Sequence, residues 1–189
     1  MKTNDEQTVE LSTALQPLSL RAQQQGQRSA ALAGANNSFI ESLAKDAFST
    51  RGELVERLLT RLMNPKVLNW LEHAVLCVGL GDIRTRDGLL RRLHDSPDQL
   101  EQVRVHLVRE VARSHDDYVA PLATVFAGTA WLDGQNDVTR LAVDRALEND
   151  PTYSLAQLLD IALRHNVPPA VWSSSLAAVS FDACLKGAA

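Results

Sequence analysis

The sequence predicts an all-α protein, a single compact bundle of about eight short helices with one tetratricopeptide-like hairpin. Three observations carry this. Apolar residues recur three and four positions apart from Ser38 to near the end of the chain, the spacing of one helix face. Helix-start signals recur between those runs. No stretch alternates polar and apolar residues over strand length, and no Asn-Gly hairpin turn appears. With 189 residues, 45% of them hydrophobic, the chain can bury the core of one ordinary domain.

Residues 1–36 are the weakest part of the pattern, because QQQGQRSAALAGANN is polar, small and broken by glycine, and Pro17 interrupts the apolar spacing before it. They are expected to form a mobile or loosely docked arm ending near Asn37, followed by a helical domain over 37–189. Ser38 with Glu41, and Thr50 with Glu53, match the capping box, in which hydroxyl and carboxylate accept from opposite amides of a first turn. Beyond Thr50, the positions Val55, Leu58, Leu59, Leu62 and Met63 define one helix face. Asn64-Pro65 reads as a stop and restart, since proline fits the first turn of a helix, where its missing donor is not needed.

The next segment, KVLNWLEHAVLCVGL, is apolar on most sides and is expected to be a central helix ended by Gly79 and Gly81. A short helix follows over 84–94, carrying Leu89, Leu90 and Leu93. Ser96-Pro97 with Gln99 opens another through about Arg113, burying Leu100, Val103, Leu107 and Val111. Helices are then expected over 118–132, 137–149, 151–165 and 169–185, the last two begun by Asp150-Pro151 and Pro168-Pro169.

Composition narrows the function classes. No apolar run approaches the ~20 residues that span a bilayer, and MKTNDEQTVELST lacks the basic start and apolar stretch of a signal peptide. Cys77 and Cys184 lie far apart on apolar patterns, which reads as reduced packing thiols in a cytoplasmic protein. The net charge is −4, and residues 101–150 hold nine acids against five basic groups, as expected of solvated helix faces. The local exception is IRTRDGLLRR, where Arg84, Arg86, Arg91 and Arg92 face one acid, Asp87.

This arginine helix supplies the candidate binding residues, Arg84, Arg86, Asp87, Arg91 and Arg92. A guanidinium fork donates two parallel hydrogen bonds to phosphate or carboxylate, so the cluster could hold an anionic ligand. The plainer reading is an internal salt-bridge network, with Asp87 three from Arg84 and four from Arg91, and burial against Asp82 and Asp87 is the expectation. No catalytic set, metal site or cofactor is read from the chain. Its five histidines are never four apart from one another and form no HExxH phrase. His115-Asp116-Asp117 reads as a polar loop, and Gly79-Leu80-Gly81-Asp82 lacks the strand context of a dinucleotide site. Ser173-Ser174-Ser175 lacks the glycines of a nucleophile elbow. Trp70, Trp131 and Trp172 are expected at the centres of three helices, and Tyr118 and Tyr153 near helix starts with their hydroxyls in water.

Two resemblances follow from longer phrases. WLDGQNDVTRLAVDRALENDP, with Gly134 at a turn, Ala146-Leu147 late in a helix and Asp150-Pro151 beginning the next, resembles one tetratricopeptide helical hairpin; no second copy occurs at the spacing of a solenoid. Over about residues 70–186, AVLCVGLGDIRTRDGLLRRL, APLATVFAGTAWLDGQND and AVDRALENDPTYSLAQLLDIALRHNVPPAVW resemble successive signatures of an actinobacterial family, domain of unknown function four-one-nine-two. The matching residues are Asp82, Arg86-Asp87, Ala130-Trp131, Gly134, Ala146-Leu147, Asp150-Pro151, Leu155-Ala156, Leu158-Leu159 and Val167-Pro168-Pro169. The resemblance implies a helical fold and a bacterial cytoplasmic setting, with the polar arm standing where relatives carry an apolar strand-like run. It supplies no mechanism. The leading expectation is a non-enzymatic helical module that binds a protein partner or a second copy of itself, with no role at a membrane. The alternatives are nucleic-acid association through the Arg84–Arg92 face and an enzyme using Arg86 and Asp87.

Overall fold

The computed structural model describes residues 28, 31, 32, 34–38, 51–64 and 66–186. Among them every regular element is helical, as the spacing predicts. We label them α1 (51–62), α2 (Trp70–Gly81), α3 (Ile83–His94), α4 (Leu100–Arg113), α5 (Asp116–Leu132), α6 (Asn136–Asn149), α7 (Ser154–Arg164), α8 (Pro169–Ala177) and α9 (Phe181–Lys186).

The bundle is built around α5. Every residue from Val119 to Trp131 is buried, so beyond its first turn this helix has no solvent face, and it packs on α2, α3, α4, α6, α7 and α8. Its small residues set how closely those neighbours approach. A Cβ on Gly128 would lie 3.0 Å from the Leu90 side chain of α3 and 3.5 Å from the Trp172 ring of α8. Trp172 stacks on Trp131 at 5.9 Å, and its indole N–H donates to the Gly128 carbonyl. The α5–α6 hairpin turns at Gly134, whose φ of +71° lies in the left-handed region that glycine adopts without strain.

Several helix boundaries differ from those expected, each for a local reason. The helix α2 begins at Trp70 rather than after Asn64: Asn69 accepts from the Glu72 amide and the Glu72 carboxylate accepts from the Asn69 amide. Trp70 is therefore a first-turn residue, not a central one. Ser96 makes no side-chain cap, and Pro97–Gln99 is a separate 3₁₀ turn ahead of α4. Asp150 accepts from the amide and hydroxyl of Thr152, which holds Pro151 in a turn and delays α7 to Ser154. The last expected helix is two, broken over 178–180, with Ser180 accepting from the Ala183 amide at the restart.

Ser38 is itself helical and so is not the extended cap of a new helix, while Glu41 and Thr50 lie outside the described residues. Most of the arm, 1–36, also lies outside them. In its described part, Arg28, Leu32 and Ala35 are buried, and their spacing of four and three puts them on one helix face against the body. At the other end, Leu185 of α9 is buried against Gly88 of α3 and Gly52 of α1, with 2.9 Å between its side chain and a Cβ built on Gly88.

Candidate functional site

The arginine helix α3 is capped by Asp82, whose carboxylate accepts from the Thr85 amide and hydroxyl and from Arg51 Nε at 3.1 Å. Arg86 is 5% exposed. Its Nε and Nη2 donate to Asp87 Oδ1 at 2.9 and 2.8 Å, and its Nη1 donates to the Tyr153 hydroxyl at 2.9 Å. Burial raises the Tyr153 phenol above its ordinary value in spite of Arg86 beside it, so the hydroxyl stays neutral and can accept. Tyr153 thus meets the arginine rather than water. Arg91 donates to the Val179 carbonyl at 2.7 Å and pairs with Asp95. Arg92 pairs with Glu56 of α1 and lies over the Phe181 ring at 4.3 Å. Arg84 is exposed and lacks a partner among the described residues.

The pairs read along the helix, Arg84 to Asp87 and Asp87 to Arg91, do not form. Asp87 is taken by its neighbour Arg86, and Arg91 reaches forward to Asp95. Through Arg86, Arg91 and Arg92, α3 is tied to the start of α7, the α8–α9 link and α1.

Beside Arg86 opens a groove of about 390 Å³ between α3, α7, α8 and α9. Its walls include Leu90, Leu155, Leu158, Trp172, Leu176 and Val179. Leu158 is 63% exposed; Ile161, three residues on along α7, is 53% exposed, and Val171 of α8 is 51% exposed. On α7 the opposite face, Ala156 and Leu159, is buried, so this helix is apolar on two sides.

A second constellation lies in the core. Four positions apart on α2, His73 and Cys77 share a face with His73 Nε2 3.4 Å from the thiol. His73 Nδ1 lies 2.7 Å from Glu110 Oε2 on α4, and that carboxylate also accepts from Arg113 Nε at 2.8 Å. Histidine and glutamate are essentially inaccessible, at 1% and 0% exposure. Thiol, imidazole and carboxylate are ordered as a nucleophile, base and orienting acid would be. Burial, however, pushes the Cys77 thiol up to about 12, so it stays protonated and acts here as a core hydrogen-bonding group. The H-x-x-x-C phrase was visible in the sequence; its partner Glu110, on another helix, had no local signal.

Burial also lowers His73 below its ordinary 6.5, against the opposing effect of Glu110, and lowers His106 likewise. Both take up protons more readily in the unfolded chain. Stability is therefore full above about pH 6.5 and falls as the pH drops from there through the lower folded values. We expect the urea midpoint to fall between pH 7.5 and pH 5.5, and to fall less when His73 and His106 are both asparagine. Equal slopes for the two proteins would contradict the assignment.

His94 Nε2 lies 3.0 Å from the Ser173 hydroxyl, and His115 caps α5 beside Asp117. Among the described residues no group of three or more His, Cys, Asp or Glu side chains is placed to hold a metal ion. Among them, too, no helix is long and apolar enough to cross a membrane.

A central helix buried from Val119 to Trp131, a cross-tied arginine helix and an apolar groove beside it define an all-helical bundle protein. Its sequence matches the family described as Domain of unknown function (DUF4192) over residues 4–170, and the chain belongs to that family. The matched span starts inside the polar arm, well before the phrases that suggested the family, and ends at the first turn of α8. No curated protein and no solved structure matches the chain.

Proposed function

We propose that the chain is a non-enzymatic helical interaction module of the reducing cytoplasm, which receives an apolar segment of a protein partner or of a second copy of itself. The groove between α7 and α8 is the surface it uses. One observation carries this reading: Leu158, in the wall of a largely apolar groove, is 63% exposed, and Ile161, three residues on along the same helix, is 53% exposed. An exposed leucine in the wall of an apolar groove, with an exposed isoleucine one helical turn away, is what an amphipathic partner helix needs. Arg86, Asp87 and Tyr153 brace one end of the groove.

The nucleic-acid reading has less behind it, because Arg86, Arg91 and Arg92 are engaged within the protein, and of the four only the exposed Arg84 lacks a partner among the described residues. A photo-reactive residue placed at Ile161 in living cells tests the proposal, with one at the exposed Asp144 on α6 as control. The expected result is a discrete protein adduct from position 161 and none from 144. Identical adduct patterns, or none from either, would overturn it.

A further inference from the structure

We infer that the exposed face of α7 is a self-association surface, on which a second copy of this chain lays its own α7 running in the opposite direction. The inference rests on the reading of that face as a docking surface and supplies its occupant. Ser154, Leu158, Ile161 and His165 follow one another at four, three and four positions, so they form one exposed stripe, opposite the buried Ala156 and Leu159. The apolar pair, 63% and 53% exposed, occupies the middle of the stripe, and the two polar residues occupy its ends.

Symmetry and charge both fit a copy of the same helix. Leu158 and Ile161 straddle the middle of α7, which runs from Ser154 to Arg164. A two-fold axis at that point sets each Leu158 against Ile161 of the other copy, and each Ser154 against His165. Every contact is thus made twice, as an isologous interface requires. The start of α7 is flanked by acids: Asp87 lines the groove together with Ser154, and Asp150 lies four residues ahead of it. The other end carries the exposed His165 and Arg164, whose side chain is 70% exposed although it pairs with Asp160. Copies running in opposite directions bring each acidic end to a basic one and also oppose the helix dipoles. Copies running in the same direction would bring acid to acid and base to base. The apolar pair suits any amphipathic helix, and the polarity of the two ends selects a copy running the other way.

Sedimentation velocity of the full chain over a range of concentrations tests the association, and cysteine pairing within the stripe tests its direction. The wild type should approach twice the monomer mass as its concentration rises, and Leu158→Asp should remain monomeric. For the direction, Ser154→Cys and His165→Cys are made separately with Cys184→Ser, which leaves the buried Cys77 as the native thiol. Opposed stripes put position 154 of one copy against 165 of the other. They leave the two copies of 154 about 16 Å apart along the helix axis, beyond the ~7 Å that a disulfide spans between Cα atoms. An oxidised mixture of the two variants should therefore give a cross-linked dimer, and neither variant alone should. A wild type that stays monomeric overturns the inference. So does a dimer indifferent to Leu158→Asp, or one in which Ser154→Cys bonds to itself as readily as to His165→Cys. None of these results touches the broader reading of the face, because a photo-adduct between Ile161 and a different protein would uphold that reading and refute self-association.

Discussion

Glu110→Ala is expected to destabilise the protein by about 3–5 kcal/mol, read as a fall in the urea midpoint at neutral pH. The side chain is wholly buried and accepts from His73 and Arg113, groups that also meet α2 and the Leu68 carbonyl. Removing the carboxylate strands the buried imidazole N–H of His73 and takes from the part-buried Arg113 guanidinium its ion-pair partner, leaving it the Leu68 carbonyl. Glu110→Gln keeps the shape and one acceptor and should cost clearly less. Glu110 Oε1 has no protein hydrogen-bond partner among the described residues, so the cluster fixes how α2 and α4 align more than it maximises stability. If Glu110→Ala changed stability by less than about 1 kcal/mol, the cluster would have no such role.

Leu185→Ala should have the next largest effect, a loss of about 2–5 kcal/mol. This leucine is 2% exposed and is the buried residue of a six-residue helix, α9, seated where Gly88 and Gly52 leave room. A helix that short has little stability of its own, so its position depends on tertiary packing. Truncating Leu185 should therefore free α9 as well as lower the midpoint. The neighbouring Cys184, half-buried in the groove wall, gives an independent readout. Its thiol should react faster with a disulfide reagent in Leu185→Ala than in the wild type. Unchanged stability and unchanged reactivity together would mean that α9 is not held by this contact.

How much of this could be read beforehand depended on the range of the interaction. Periodicity is local, so α3, α4, α5 and α6 lie within a few residues of their expected places. Capping is also local but degenerate. Asn64 and Asn69 both precede apolar runs, and only the reciprocal Glu72 contact distinguishes the true start. The break between α8 and α9 has no local mark, because SLAAVSF contains no glycine or proline. Of the expected burial against Asp82 and Asp87, Arg86 meets Asp87, whereas Asp82 takes Arg51 of α1 and Arg84 is exposed. Arg86 finds Tyr153 at a separation of 67 residues, and His73 finds Glu110 across 37. Both contacts are created by helix packing, which no short phrase encodes. The groove has no sequence signal for the same reason: its walls come from four helices, and Leu158 looks like any core leucine until the fold turns it outward.

The account rests on the α7–α8 face being a working surface, and one variant tests that most directly. Leu158→Asp puts a charge on the groove wall at a position exposed enough that folding stability should move by no more than about 0.5 kcal/mol. Introduced alongside the photo-reactive residue at Ile161, it should leave the unfolding midpoint in place and remove the adduct. An adduct that survives at the wild-type yield would contradict the account.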